Sequence, residues 1–151
     1  MSKQIKEAVW GTFSFRADPT KCAEEIASLG ESFTAKDLVE FAKNEGTELH
    51  KCFTWEDTEA ARKWREHEAR VIVGNLKITY LPKKAEEPRL VRAFVMPSNT
   101  GKYRPISCVV KNQDEYSMLL EKAKAELIAF QKKYSSLVEL DEVFTAIKSI
   151  I

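Results

Sequence analysis

The sequence has little cysteine and no long apolar run, and these two shortages exclude several protein classes. Its 151 residues include three cysteines, Cys22, Cys52 and Cys108, an odd number at wide spacing that fits neither a disulfide framework nor a zinc knuckle. No apolar stretch approaches the roughly 20 residues that a membrane-spanning helix needs. The first residues also lack the apolar centre of a signal peptide. We therefore expect a cytoplasmic protein with reduced thiols and no membrane partner.

Glycine-rich loops are also missing, and with them the usual sequence marks of catalysis. The five glycines are isolated from one another, so no phosphate-binding loop is predicted. His50, Cys52 and His67 have the residue types of a zinc site, but a fourth ligand would have to come from Cys22 or Cys108, which lie far away in the chain. A Cys52–His67 nucleophile pair would have no accompanying oxyanion loop. The sequence therefore predicts no enzyme, no metal and no cofactor.

The net charge of +1 conceals an uneven distribution of charges along the chain. Residues 1–76 carry 11 basic and 14 acidic side chains, and residues 112–151 carry 5 basic and 7 acidic ones. Residues 77–111 between them carry 8 basic and only 2 acidic side chains, a net charge of +6. A basic segment between two mildly acidic regions indicates a partner that is an anion, such as nucleic acid.

The N-terminal half has the outline of a helix-turn-helix unit. Thr34 is followed by a capping signal and an amphipathic stretch, and Thr47 can cap a further short helix over residues 48–53. A helix, a turn and a second helix in this order are typical of DNA-binding units. The second helix would point His50 and Lys51 outward. Ordinary helical packing explains the same pattern, so both interpretations stay open.

A long central helix is predicted from an N-cap at Thr54 to an end near Gly74. Its outer face alternates acidic and basic residues at four-residue spacing, which is typical of a solvated surface. The alternative interpretation is a phosphate-contacting face made of Arg62, Lys63, Arg65 and Arg70. The glutamates between these residues argue against that alternative, because a duplex-binding surface usually has charges of one sign.

Past residue 76 the apolar period changes from helical to alternating. Strands are predicted over 77–81, 90–96 and 103–110, the last two forming a β-hairpin around a Pro- and Gly-containing turn. This hairpin collects the candidate DNA-contacting residues Arg89, Arg92, Lys102, Tyr103, Arg104 and Lys111. The tip of this hairpin, residues 99–104, could reach a phosphate backbone or a minor groove. The alternative is an edge hairpin whose charges prevent aggregation.

Two helices are predicted at the C-terminal end. The first is capped by Asn112 or Asp114 and carries an apolar face from Tyr116 to Tyr134, and the second covers residues 137–150. An ending as apolar as Ile147-Lys-Ser-Ile-Ile has to be covered, either by its own domain or by another subunit. The sequence therefore predicts self-association or a protein partner at these helices.

One motif of this chain resembles a group of viral proteins. The run Leu49-His-Lys-Cys-Phe-Thr-Trp-Glu-Asp57, followed by Ala60-Ala61 and Arg65, is similar to a motif of small proteins encoded by tailed phages and prophages. Residues 120–147 are similar to the ends of the same proteins. The resemblance implies a phage or prophage origin and brings no activity with it.

These observations predict an α+β fold. Residues 1–76 would form a helical unit with the central helix, and residues 77–151 a small antiparallel sheet with a basic hairpin and two C-terminal helices, as two parts or as one continuous domain. The main functional hypothesis is a non-enzymatic protein that binds double-stranded DNA. The alternative is a protein-interaction module, a phage assembly or host-takeover factor, that acts through the C-terminal helices.

Overall fold

The computed structural model describes residues 7–151 and has an α+β fold. In chain order its elements are β1 Ala8–Trp10, α1 Pro19–Ala27, β2 Phe33–Thr34, α2 Ala35–Ala42, a 3-10 turn Leu49–Cys52, α3 Glu59–Asn75, β3 Leu76–Tyr80, β4 Arg89–Arg92, β5 Phe94–Val95, β6 Lys102–Pro105, α4 Ile106–Val109, α5 Gln113–Tyr134, a 3-10 turn Val138–Leu140 and α6 Asp141–Ile150. The predicted fold class, long central helix, antiparallel strands and C-terminal helices are confirmed.

The first two helices begin where local signals in the sequence place them. The Asp18 carboxylate accepts hydrogen bonds from the first backbone amides of α1, and Pro19 is its first residue. At α2, the Thr34 hydroxyl accepts from the Asp37 amide while the Asp37 carboxylate accepts from the Thr34 amide, a complete capping box. Gly30 follows α1 with a φ of 114°, a backbone conformation that glycine adopts easily.

The central helix α3 starts four residues later than predicted. Thr58, not Thr54, is the N-cap, and its hydroxyl accepts a hydrogen bond from the Ala61 amide at 3.1 Å. The amide and hydroxyl of Thr54 instead donate to the Glu68 carboxylate at 2.9 and 2.8 Å. Because the Thr54 hydroxyl donates to Glu68 of the helix, Thr54 does not cap the start of α3. The end of α3 at Asn75 is as predicted, and the chain enters β3 without a loop.

The six strands form two antiparallel three-stranded sheets, in the orders β1-β3-β4 and β2-β6-β5. Trp10 pairs with Leu76 in the first sheet, and Phe33 pairs with Tyr103 in the second. Each sheet therefore combines strands from both sides of residue 76, where the sequence predicts a division into two parts. The predicted third strand, 77–81, does pair with the following one, as β3 with β4.

The predicted hairpin of 90–96 with 103–110 is wrong over most of its length. Its first strand divides at Ala93, so that β4 joins one sheet and β5 the other. Its second strand ends at Pro105 and continues as the short helix α4. The buried Ala93 explains the division, because its carbonyl accepts from the Ile106 amide at 2.8 Å while its amide donates back to the start of β3. The β5–β6 ladder is only two residues long.

The hydrophobic core lies between the first three helices and the two sheets. Ile26, Leu38 and Ile72 come from α1, α2 and α3 and are fully buried. Phe33 and Phe94 meet edge to face at 5.6 Å between ring centroids. Among the residues that the structure describes, no member of this buried cluster belongs to α5 or α6. The two C-terminal helices thus lie outside the hydrophobic core. We call the part of the chain that contains this core, residues 7–109, the body.

Candidate functional site

The eight residues predicted to contact DNA lie on four separate parts of the fold. His50 and Lys51 are on the first 3-10 turn, Arg89 and Arg92 on β4, Lys102, Tyr103 and Arg104 on β6, and Lys111 between α4 and α5. Strands β4 and β6 belong to different sheets. Lys111 lines a cleft of about 790 Å³ between α1 and α4, beside Cys108 and beside Ser107, which the sequence did not single out. The basic hairpin expected from the sequence is therefore divided between the two sheets.

The second helix of the predicted helix-turn-helix is a single 3-10 turn. A turn of four residues is too short to present side chains along a DNA groove. His50 does not point outward as predicted, because its Nδ1 bonds a backbone carbonyl of α2 at 2.8 Å and its ring stacks on Trp55 at 4.7 Å. The Lys51 ammonium pairs with the Glu48 carboxylate at 2.9 Å. Both predicted contact residues hold local structure.

A carboxylate from α1 fixes this turn. Glu25 accepts hydrogen bonds from the backbone amides of Glu48 and Leu49 at 2.8 and 2.9 Å. The hydroxyl of Thr47, the predicted cap, accepts from the next free amide, that of His50, at 3.2 Å. No sequence signal links Glu25 to a turn 23 residues away, so this contact could not be predicted.

The three groups that suggested zinc each pack against a different neighbour, and His50 stacks on Trp55. Cys52 lies against Cys22, and the hydrogen bond between these thiols, followed by burial, raises the pKa of Cys22. His67 instead packs on Trp64 at 4.5 Å. Within residues 7–151, no group of three or more His, Cys, Asp or Glu side chains is placed to hold a metal ion.

Two of the candidate DNA-contacting residues, Tyr103 and Arg104, are held by contacts within the body and to α5. The Arg104 guanidinium donates to the Glu115 carboxylate at 2.7 Å and to the Glu31 carbonyl at 3.0 Å. The Tyr103 ring stacks on Phe33 at 5.6 Å, and its burial raises the pKa of the phenol. Each of these two side chains therefore fills a structural position.

Four predicted DNA-contacting cations remain, namely Arg89, Arg92, Lys102 and Lys111. None of them forms an ion pair with a carboxylate of residues 7–151. Lys36, Glu66, Arg70 and Tyr103 line a cleft of about 250 Å³. Arg92 is not part of this lining, but its positive charge, like that of Arg70, opposes the rise of the Tyr103 pKa. We call Lys36, Arg70 and Tyr103, together with the neighbouring Arg92, the cationic cleft. The Glu66 carboxylate lies 3.8 Å from Arg70 and partly offsets its charge.

The alternative phosphate-contacting face on α3 does not form. Arg65 is only 9% exposed, and its guanidinium donates to the carbonyls of Thr54 and Glu56 at 2.9 and 2.6 Å. It also lies over the Trp55 ring at 4.9 Å. Arg65 thus joins α3 to the segment that precedes it. The exposed Arg62 pairs with Asp57 in the same region.

The C-terminal helices, in contrast, expose a large apolar surface. Within Gln113–Tyr134 no residue is buried, and in Asp141–Ile150 only Phe144 and Ile147 are. Besides Met118, five large apolar residues of α5 and α6 are between 39% and 55% exposed, namely Tyr116, Leu120, Phe130, Val143 and Ile150. We call these five residues the open hairpin face.

Helical spacing places the open hairpin face on one side. Tyr116, Leu120 and Phe130 fall within an arc of about 80° around α5. Phe130 touches Phe144 of the antiparallel helix α6 at 6.3 Å between ring centroids. On α6, Val143 and Ile150 are seven residues apart and therefore share one side of that helix. The Phe130–Phe144 contact thus brings the exposed stripe of α5 up to α6.

No protein-family model, curated protein or solved structure matches this chain. The phage or prophage origin implied by residues 49–65 therefore stays a prediction. Within residues 7–151, no helix is both long enough and apolar enough to cross a bilayer. A function therefore has to be inferred from the residues of the cationic cleft and of the open hairpin face.

The pair of C-terminal helices, α5 and α6, is attached to the body through polar groups. Besides the Arg104–Glu115 ion pair, the Lys122 ammonium of α5 donates to the Met96 carbonyl at 3.1 Å. Lys122 is six residues from Tyr116, about 120° away around the helix. The side of α5 that meets the body is therefore not the side that carries the apolar stripe.

The shorter helix α6 covers only part of α5. The helices have 10 and 22 residues, and so lengths of about 15 and 33 Å. Since α6 follows α5 after a short connection, it runs back along the C-terminal half, where Phe130 lies. Tyr116 and Leu120 lie in the other half and have no cover from α6. The sequence shows the apolar stripe but not which part of it stays open.

Proposed function

We propose that this protein is a non-enzymatic protein-interaction module that binds its partner through the open hairpin face. The observation that supports it is the group of five large apolar side chains exposed on one side of two helices that lie outside the core. Isolated exposed apolar residues are normal, but adjoining ones on one face are typical of interaction sites. This is the alternative function that the sequence indicates, and the geometry favours it over DNA binding.

Burial of the open hairpin face would supply part of the free energy that a complex requires. Full burial of a side chain such as Leu, Val, Ile or Phe contributes about 1.5–3 kcal/mol. These five side chains are roughly half exposed, so each would add about 1 kcal/mol on binding, or about 5 kcal/mol together. The apolar core of the interface is central and the polar residues of α5 lie around it, as in many protein interfaces.

The role of such a module is an assembly or host-takeover function in a phage cycle. The phage or prophage origin rests on the resemblance of residues 49–65 and 120–147 alone.

Photo-cross-linking tests the proposed function in cells that express the chain. A benzoylphenylalanine at position 120 or 143 should give covalent adducts with a protein. The matched control is position 118, because Met118 is 44% exposed but lies on the opposite side of α5. Adducts at 120 and 143 and none at 118 are the expected result. No protein adduct at 120 or 143 would remove the proposal.

Contact with double-stranded DNA through the cationic cleft is a second candidate function. Arg70 and Arg92 both lie close enough to the Tyr103 phenol to oppose the rise of its pKa, and Lys36 shares the cleft. Clustered cations beside an aromatic ring can bind a phosphate backbone. A mobility shift over a salt series tests it, with Arg70→Ala and Arg92→Ala compared with the ion-paired surface residue Arg62→Ala. No duplex binding at low salt would exclude this function.

A further inference from the structure

We infer that the partner at the open hairpin face is a second copy of this chain, bound so that the two α5 helices run antiparallel and cross near Ala123. The inference rests on the proposed function and adds the identity of the occupant. Three features of the helices carry it, namely the charge at the two ends of α5, the order of side chains along its stripe, and the partial cover by α6.

The two ends of α5 carry opposite charges. Its first turn contains Asp114 and Glu115, of which Glu115 is already paired with Arg104, and its last turn contains Lys132 and Lys133. In an antiparallel pair, the end of each helix that carries Asp114 lies level with the basic end of the other, so the attraction between these ends acts at long range. A parallel pair would bring like charges together at both ends and is disfavoured. The helix dipoles also oppose each other favourably in the antiparallel arrangement.

The apolar stripe of α5 is complementary to itself in this arrangement. A two-fold axis at Ala123 brings Tyr116 of one copy opposite Phe130 of the other, because the two residues are equally far from position 123. Leu119 and Leu127 match in the same way. A small residue at the axis lets the two backbones approach closely. A stripe that pairs with its own reverse is the requirement for a two-fold interface.

The partial cover by α6 fits the same pairing. In each copy α6 covers the C-terminal half of α5 and leaves the half with Tyr116 and Leu120 open. The antiparallel partner brings its own C-terminal half, with its α6, to this open half. Val143 and Ile150 of the partner then face the uncovered stripe. Two copies thus complete a four-helix arrangement that one copy leaves half built.

Sedimentation of the full chain over a concentration series tests the pairing. The wild-type chain and Met118→Lys should form a dimer, since Met118 is exposed on the other side of α5. Leu120→Lys should raise the dimer dissociation constant by more than about tenfold, because each dimer then holds two lysines in an apolar interface. Circular dichroism checks that both variants are folded. A dimer unaffected by Leu120→Lys, or a monomeric wild-type chain at about 100 μM, overturns the inference.

Disulfide cross-linking tests the orientation. With the natural cysteines replaced by serine, Ala123→Cys should oxidise to a covalent dimer, and a mixture of Tyr116→Cys with Phe130→Cys should give the mixed dimer. Efficient cross-linking of Tyr116→Cys with itself would show a parallel pair and overturn the arrangement.

The two failures can be told apart. A monomeric chain whose position 120 photo-cross-links to a different protein removes the second copy and keeps the proposed interaction module. A chain that gives neither dimer nor adduct removes both.

Discussion

Arg65 should be among the residues of this protein on which stability depends most. Its guanidinium donates two hydrogen bonds to backbone carbonyls, at 2.9 and 2.6 Å, and lies 4.9 Å from the centre of the Trp55 ring. A hydrogen bond from a charged donor contributes about 1.5–3 kcal/mol, and a cation over an aromatic ring about 0.5–1 kcal/mol where exposed. Because the two carbonyls are only partly buried and water replaces some of this, we expect Arg65→Ala to lower the free energy of unfolding by about 3 kcal/mol.

Urea unfolding followed by tryptophan fluorescence and by far-ultraviolet circular dichroism measures this loss. Arg62→Ala is the matched control, because Arg62 lies on the same helix but pairs only with the exposed Asp57 and should leave stability nearly unchanged. Arg65→Lys keeps the charge without the forked donors and should recover less than half of the loss. If Arg65→Ala unfolds at the same urea concentration as Arg62→Ala, the structural role assigned to Arg65 is refuted.

Three further predictions concern the turn at residues 49–52 and the start of the chain. Glu25→Ala leaves two backbone amides without their acceptor and should cost about 1–3 kcal/mol by urea unfolding, with Glu25→Gln losing less. Gly11→Ala places a methyl group 2.8 Å from Asn75 Oδ1 and should lower the melting temperature, whereas an unchanged value would contradict the packing described. The hydrogen bond from Lys51 lowers the pKa of Glu48 below its usual 4.5 in the folded state. This stabilisation is therefore full above pH 4.5 and is lost as the pH falls below it, so Lys51→Ala should show a weaker pH dependence of stability in that acid range, measured by urea unfolding at several pH values.

Signals that lie within a few residues of each other predicted the structure well. The caps at Thr34 and Asn112 are both confirmed, since each depends on a side chain and an amide three residues apart. The apolar period also identified α3 and α5 correctly, because a helical face repeats along one short stretch of chain.

Contacts between residues that are distant in the sequence could not be predicted. Thr54 was predicted as a cap, but Glu68, 14 residues later, takes its donors. Arg104 was predicted at an exposed tip, but Glu115 comes from a helix that folds back on it. The sequence shows that Ala93 lies in an alternating stretch, but not that its amide and carbonyl bond to different parts of the fold. Charge and period fix local structure, and the partner of each group depends on the assembled chain.

The candidate surface was predicted in kind but not in extent. The amphipathic pattern of α5 and α6 indicates a face that needs cover, and it offers two ways to supply it, the rest of the chain or another subunit. Only the arrangement of the helices shows that the polar side meets the body and that half of α5 is open.

The place where α5 leaves the body determines what an assembly of two chains displays. The body is joined to the first turn of α5, so antiparallel pairing sends the two bodies to opposite ends of a rod about 33 Å long. Each pair would therefore present two identical bodies, each with its cationic cleft, facing apart at a fixed spacing. A target with repeated sites for the cleft at that distance would be held by both bodies at once, and the second engagement would gain from the high local concentration created by the first.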